Sequence, residues 1–366
     1  MKVVDIIRTL EEWAPKQHQE SYDNSGLICG NPESVVTSVL CSLDCTEEVV
    51  EEAANKGCGM IIAHHPIVFS GLKSLTGKDY VERTVITAIQ KGVAIYAIHT
   101  NLDHAWTGVN RKIGERLGLH HLEVLSPKKG ALLKLVTYVP SAALEVIKSA
   151  LFNAGAGHIG EYDHCSFTSE GQGTFRGSEN STPSVGKVGE DHREAESKLE
   201  VILPTHLKST VVKALLAAHP YEEVAYDLVA LQNEHPRLGS GMIGSLNTPL
   251  SEKSFFEHVS SRFNLKVIRH TTLLNKPVKT VAFCGGAGRF LLPNAMARKA
   301  DVFITADFKY HEFFDAEQKV VIMDIGHFES EQSTPELIKE YLEEKIPTFA
   351  VLLSEAGTNP VHYYIS

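Results

Sequence analysis

The stretch Gly59-Met60-Ile61-Ile62-Ala63-His64-His65-Pro66 decides how the chain reads. Four apolar residues in a row, without polar alternation, are what a strand covered on both faces requires. The proline disfavours further helix or ladder pairing, so both imidazoles fall where the strand ends. The same rhythm continues outward. Strand-like runs at 34–44 (SVVTSVLCSLD) and 93–103 (VAIYAIHTNLD) alternate with helical ones at 46–57, 81–92 and 107–118. Each helical run stops at a glycine (Gly57, Gly92, Gly118), the residue that best takes the left-handed conformation past a helix end. Strand and helix in strict alternation predict βαβ units, with strands buried between helical layers.

The rhythm returns after residue 233, with helices over 254–263, 290–300 and 334–346 and strands over 279–286, 302–307, 320–326 and 348–355. Between the two parts the order changes to strand, helix, a polar glycine-rich stretch, strand, helix, strand, which is the ferredoxin-like α+β pattern. The fold class expected is therefore α/β: a two-part host of mostly parallel sheets flanked by helices (1–125 and 233–366), interrupted by a ferredoxin-like domain (126–232). Gly171 to Asp191 lacks apolar periodicity and is expected to be a long hairpin or mobile loop.

Composition bounds the class. At 366 residues, 43% hydrophobic and 22% charged, the chain is a globular one of two to three domains. A net charge of −10 disfavours broad binding to nucleic acid or anionic membrane, which needs surplus Lys and Arg. Six cysteines form no CxxC pair or repeated spacing, so neither a zinc ribbon nor a disulfide framework is indicated. Asp5, Glu11 and Glu12 interrupt the N-terminal run, so it reads as an amphipathic helix rather than a secretory signal, and the expected location is cytoplasmic.

Eighteen histidines are many for this length, and three of them fall at telling places. His64 and His65 follow one strand, Asp103 follows the run Val93 to Ile98, and His327 follows Val320 to Ile325. Ligands bind at the carboxyl ends of parallel strands in open α/β sheets, so these strands should deliver their residues to one edge. Glu331 lies four residues after His327, and a helix beginning after Gly326 would put both on one face. Two imidazoles, a carboxylate and a His-x-x-x-Glu pair make five donors without sulfur, a set suited to a pair of divalent ions, Zn first, with Mn, Fe, Co or Ni as alternatives. Each motif also has a plain reading: a polar strand end, a helix N-cap at Asp103, a surface pair at His327 and Glu331. Their shared position past buried strands favours the metal site.

Two further groups stand near. Cys284-Gly285-Gly286-Ala287-Gly288 is either a tight strand-to-helix turn or a nest of N–H groups able to hold an anion. Asp307, Lys309 and His311 close the strand at 302–305, and His99 and His104 flank Asp103. All are candidates for contacts around the ligands or for proton transfer, or are structural.

The series Trp13-Ala14-Pro15, Tyr22-Asp23-Asn24-Ser25-Gly26-Leu27, Ala63-His64-His65-Pro66, His99-Thr100-Asn101-Leu102-Asp103, Cys284 to Gly288 and Gly326-His327-Phe328-Glu329-Ser330-Glu331 resembles the GTP cyclohydrolase I type 2 homologs, or NIF-three-like proteins. The middle part resembles the PII/CutA-like domain of the longer bacterial members, through Gly155 to Gly160, Gly173-Thr174-Phe175-Arg176 and His219-Pro220-Tyr221-Glu222-Glu223. The resemblance implies two metal ions on His64, His65, Asp103, His327 and Glu331, and a homohexamer with the sites facing an interior cavity. Asn24 joins the candidates for substrate contact on the same ground.

No GxSxG elbow, Cys/His dyad or GxxxxGK[ST] loop is present, so water activated by the ions is the only strong nucleophile expected, and no side chain is assigned as catalytic. The expected function is a dinuclear metal-dependent hydrolase on a nucleotide-like or phosphate-bearing small molecule, GTP cyclohydrolase-like by resemblance. The competing expectation is a metal-binding regulatory or scaffold protein whose insert senses a ligand or partner.

Overall fold

The structure, a computed structural model, describes residues 1–364. Contacts divide the chain into two units: Met1–Pro127 with the chain from Arg237 onward, and Lys128–Pro236. Strands of the first unit before the interruption are β1 (Gly26–Cys29), β2 (Ser38–Ser42), β3 (Met60–Ala63), β4 (Ala94–Ala97) and β5 (His120–Pro127). The second unit holds β6 (Leu132–Pro140), β7 (Ser166–Arg176), β8 (Asp191–Pro204) and β9 (Tyr226–Ala230). After it come β10 (Gly239–Leu250), β11 (Arg269–His270), β12 (Val278–Phe283), β13 (Val302–Thr305), β14 (Val321–Asp324) and β15 (Ala350–Leu353).

In the first unit, β2, β3 and β4 are buried along their whole length, as their unbroken apolar runs require. The helices between them begin and end where their caps dictate. Thr46 accepts from the Val49 N–H at the start of Glu47–Asn55, and Asp79 accepts from the Glu82 N–H at the start of Tyr80–Lys91. Gly92 then closes the second helix in the left-handed conformation at φ +67°. The sheet order is β1-β4-β3-β2-β15, parallel except for β1 at its edge.

The C-terminal strand therefore completes the N-terminal sheet. The helix Thr334–Lys345 ties the two parts of the chain together as well: Tyr341 stacks on Trp13 with centroids 4.3 Å apart and donates to the Thr9 carbonyl.

The second sheet, ordered β11-β14-β13-β12-β10-β5, corrects the expectation of mostly parallel sheets. Only β12, β13 and β14 run parallel to one another; β11, β10 and β5 join antiparallel. The cause lies in β5 and β10, the strands on either side of the interruption, which pair directly, with Pro127 opposite Gly239. The chain thus leaves the first unit and re-enters it at adjacent positions.

The second unit is a four-stranded antiparallel sheet of order β7-β8-β6-β9, with helices Leu144–Asn153 and Lys208–Ala218 following its first and third strands. Leu135, Ile147, Leu199, Val211 and Leu215 form its fully buried core. The stretch from Gly171, expected as a loop or hairpin, is strand through Arg176, and β7 pairs with β8 from Ser166–Val201 to Arg176–Asp191. Its apolar pattern is missing because β7 is largely exposed and because Gly173 leaves room for the carboxylate of Glu196.

All six cysteines are free, and among the described residues no helix is long and apolar enough to cross a membrane.

Candidate metal centre

Beyond Ala63 the ladder with β2 continues for two residues, as the N–H groups of His64 and His65 donate to the carbonyls of Ser42 and Leu43. That fixes both imidazoles at the sheet's carboxyl edge. His64 Nδ1 donates to the Ile98 carbonyl at 2.8 Å, and His65 Nδ1 lies 2.8 Å from Asp44 Oδ1. With Nδ1 of each ring turned to an acceptor, Nε2 is aimed the other way, and in the neutral form that binds a metal it is Nε2 that carries the lone pair.

Asp103 arrives on the short helix Thr100–His104 after β4, with its carbonyl held by Asn110 Nδ2 at 3.0 Å. From the other sheet, β14 runs out into Gly326 and the single-turn helix His327–Glu331. The i, i+4 spacing places both side chains on one face, with His327 Nε2 3.2 Å from Glu331 Oε2. His327 Nδ1 lies 2.6 Å from Asp307 Oδ2, repeating the pattern of His65 with Asp44.

The two oxygens of Glu331 face different groups. Oε2 stands 3.0 Å from His65 Nε2, which is 3.4 Å from His327 Nε2. Oε1 stands 3.8 Å from His64 Nε2, which is 3.6 Å from Asp103 Oδ1. Donors bound tetrahedrally at roughly 2.0–2.1 Å lie about 3.3 Å from each other, so the first triad has the edge lengths of an ion's coordination triangle. His64 Nε2 and Asp103 Oδ1 are buried with no hydrogen-bond partner, a costly state for two polar atoms that face each other. The residues present therefore fit a divalent cation: His64, Asp103 and Glu331 form one group that could hold one, His65, His327 and Glu331 a second, and His64, His65 and His99 a third that overlaps both.

Protonation follows the same geometry. Burial opposes charge on His65, but hydrogen bonding to Asp44 and Glu331 outweighs it and pushes the imidazole up to about 9. Burial likewise opposes charge on His327, where Asp307 and Glu331 prevail and push it up to about 11. Burial first, and the neighbouring Glu331 charge second, hold Asp103 well above the usual carboxylate range. Burial also acts to raise Glu331, but its hydrogen bond with His327 leads the contacts that hold it well below. Without a cation, two carboxylates cannot both ionise here at little cost.

Glycine is required beside the ligands. At Gly286, φ is +61° and an added Cβ would come within 2.5 Å of Glu331 Oε1 and 3.1 Å of His327 Nε2.

Residues 1–360 match the family described as Duf34/NIF3 (NGG1p interacting factor 3). The chain belongs to that family. A GTP cyclohydrolase 1 type 2 homolog of Halalkalibacterium halodurans is 37% identical over 360 residues, covering 97% of each chain. One of Bacillus subtilis is 35% identical over 365 residues, covering 97% of this chain and 96% of that one. The crystal structure of a Bacillus cereus protein related to NIF3 superposes with a TM-score of 0.86 at 37% identity, covering 100% of this chain and 99% of the other.

In this Duf34/NIF3 chain the five expected donors converge, but not along one sheet edge. His64, His65 and Asp103 come from the first sheet, whereas His327 and Glu331 come from the second. His99 stands beside them, its ring 5.3 Å from His64 and 5.4 Å from His65, with Nδ1 held by Asp23 at 2.8 Å. Asp307 supports His327 as described. Asn24 instead donates to the Val68 carbonyl at 2.6 Å and braces a loop, and it does not line the cavity at the site. Lys309 and His311 are exposed in and beside the 3-10 turn Tyr310–Ala316 and are likewise absent from the cavity wall.

The anion nest proposed for Cys284 to Gly288 is not built. The N–H groups of Gly285, Gly286 and Gly288 already donate to Asn110, Ser330 and Thr305. The turn serves to bring Gly286 against the ligands.

Sequence reasoning missed Asp44, Asp23 and Asn110. Asp44 stands two residues past β2 just as His65 stands two past β3, so the strand-end signal was available for it. The cavity in front of the donors measures about 1100 Å³, and its wall includes His65, His99, Asp103, His327 and Glu331.

Proposed function

We propose that this chain is a dinuclear metal-dependent hydrolase acting on a nucleotide-like or phosphate-bearing small molecule. The observation that carries the reading is Glu331, whose two oxygens face two separate donor groups and could serve one ion each. When bound, such ions lower the pKa of coordinated water from 15.7 toward about 7. The chain's own residues do the rest. Asp44, Asp307 and the Ile98 carbonyl orient the ligand imidazoles. His99, its Nδ1 bonded to Asp23, stands at the cavity wall with a ring nitrogen within 4.8 Å of the His64 and His65 donors, where it can touch an ion or a substrate. Relatives named as GTP cyclohydrolase homologs make ring opening of GTP the first reaction to test.

The test is metal-loaded protein screened on nucleotides, nucleosides and phosphoesters, with His65→Ala and Asp103→Ala as controls. Product formation lost in both variants while the fold persists supports the enzyme. No turnover of any substrate, with metal still needed for assembly, supports the second reading, a metal-binding regulatory or scaffold protein.

One observation favours that alternative. The Lys128–Pro236 unit, which we read as a PII/CutA-like insert, has its own cavity of about 780 Å³, lined by Tyr138, Phe175, Tyr221 and the buried Glu196. A sensed ligand could sit there. We also propose self-association into a homohexamer, as the family resemblance implies; the exposed aromatic residues Tyr310 and Phe314 would suit a contact between copies.

A further inference from the structure

We propose that the cavity of the Lys128–Pro236 unit binds a small organic cation, an ammonium or guanidinium group carried on an apolar body. This unit holds none of the metal centre's donors, so the site stands whether or not that centre turns over a substrate.

Glu196 is the residue that decides it. In β8 the alternate residues Leu199, Val201 and Leu203 pack into the core with the helices, so Glu196 falls on the other face of the sheet. The loop after β7 roofs that face. Ser184 Oγ donates to the Pro220 carbonyl at 2.6 Å, and the Thr182 N–H donates to Glu222 Oε1 at 2.7 Å. At this cavity wall Glu196 is only 9% exposed. Its Oε1 accepts from the Tyr221 hydroxyl at 2.9 Å, whereas Oε2 has no partner among the described residues. The carboxylate has room because residue 173 is glycine: an added Cβ there would lie 2.6 Å from the carboxyl carbon. A carboxylate accepts at about four sites, so a buried one with a single donor is short of partners.

The rest of the wall selects the partner. Phe175 and Tyr221, with ring centroids 6.0 Å apart, line the cavity together with Tyr138. Ring faces attract a cation within about 6 Å, and a charged N–H donor bonds a carboxylate roughly twice as strongly as a neutral one. An anion meets less. No lining residue lies in a helix, so no helix N-terminus faces the cavity. Of the two cations at the wall, Lys198 donates to Glu200, which lies outside it. Arg176 pairs with Asp191, five steps along β7 from the Gly171–Glu196 pair, or about 17 Å at roughly 3.4 Å per residue. Against these stand Glu170, Glu196, Glu222 and Glu223. A metal ion fits less well too. The wall has no histidine or cysteine, and among the described residues every group of three donors close enough to hold an ion lies at the metal centre.

Binding to the full-length, zinc-loaded protein is read by titration calorimetry at about 150 mM salt, where distant surface charges are screened. The probes are phenethylamine and agmatine, with 2-phenylethanol and 3-phenylpropionate as neutral and anionic molecules shaped like the first. The amines are expected to bind at least about tenfold more tightly than either control. Glu196→Gln should weaken them about tenfold or more, and Phe175→Ala about threefold, with zinc content and melting temperature unchanged. Gly173→Ala keeps the charge but crowds the carboxylate, and should weaken them as well. His65→Ala, which disturbs the metal centre instead, should leave amine binding intact.

No binding of either amine below about 5 mM overturns the proposal. So does equal affinity for a control, displacement of the amine by calcium at equal concentration, or binding that Glu196→Gln leaves unchanged. Binding lost in His65→Ala would put the amine on the ions and overturns it too. Failure of the hydrolase reading looks different: amine binding persists, but no substrate yields product.

Discussion

Glu331 Oε2 and His65 Nε2 stand 3.0 Å apart although 266 residues separate them in the chain. One comes from the single-turn helix after β14, the other from the end of β3, so the carboxylate joins two sheets at their carboxyl ends. Its other oxygen faces His64. Loss of Glu331 should therefore be felt by both donor groups at once. We expect two zinc ions per chain in the native protein, fewer than one in Glu331→Gln, and one in Asp103→Asn, where His65, His327 and Glu331 remain intact. Elemental analysis after dialysis checks the stoichiometry. Equal zinc loss in the two variants would remove the shared-carboxylate arrangement.

The acceptors behind the imidazoles make a graded prediction. Asp44 and Asp307 hold Nδ1 of His65 and His327 at 2.8 and 2.6 Å. An amide in place of either carboxylate keeps the shape but weakens the hold on the ring's tautomer. Asp44→Asn and Asp307→Asn should each lower metal affinity by about 10–100-fold. Competition with a fluorescent chelator measures this directly, and circular dichroism should show the fold unchanged. An affinity within a factor of about two of the native protein would mean that packing alone orients the rings.

Gly286 offers a test with a built-in control. Both Gly286 and Gly92 have left-handed backbones, φ +61° and +67°, so alanine at either costs about 1–2 kcal/mol in strain. At Gly92 nothing lies within 4 Å of the added Cβ, whereas at Gly286 it meets Glu331 Oε1 at 2.5 Å. Gly92→Ala should lower the melting temperature and leave zinc affinity intact. Gly286→Ala should lower zinc affinity by about tenfold or more. The same loss in both variants would show that strain, not contact with the ligand, is responsible.

How much of this was legible beforehand depended on where each residue stands relative to a strand. His64 and His65 could be found because β3 is an unbroken apolar run that they follow at once, and Asp103 because it lies in the short polar turn just past the equally apolar β4. His327 and Glu331 were legible through their i, i+4 spacing after such a run. Asp23 was not, since it reaches His99 from a loop 76 residues earlier and no local pattern announces the pairing. Asn110, which bridges Asp103 and Gly285, looks in sequence like any polar residue of an amphipathic helix. β10 escaped notice because glycines and serines interrupt its apolar pattern, and with it went the antiparallel half of the second sheet.

The last prediction concerns pH and lies away from the donors. Glu52, on the helix Glu47–Asn55, accepts from Lys56, Ser354 and the N–H groups of Glu355 and Ala356, anchoring the chain just beyond β15. Burial opposes its charge, but these donors outweigh burial and hold the carboxyl at about 2. A carboxyl whose folded pKa is depressed stabilises the fold fully above its unfolded value near 4.3, and that contribution fades as pH falls toward 2. Glu52→Gln should therefore cost about 1–2 kcal/mol at neutral pH, discounted for a site near solvent, and progressively less below about pH 4. Urea unfolding at pH 7 and pH 3 reads the difference. A cost that stays constant across that interval would show that the carboxylate's charge contributes nothing and that only its shape matters.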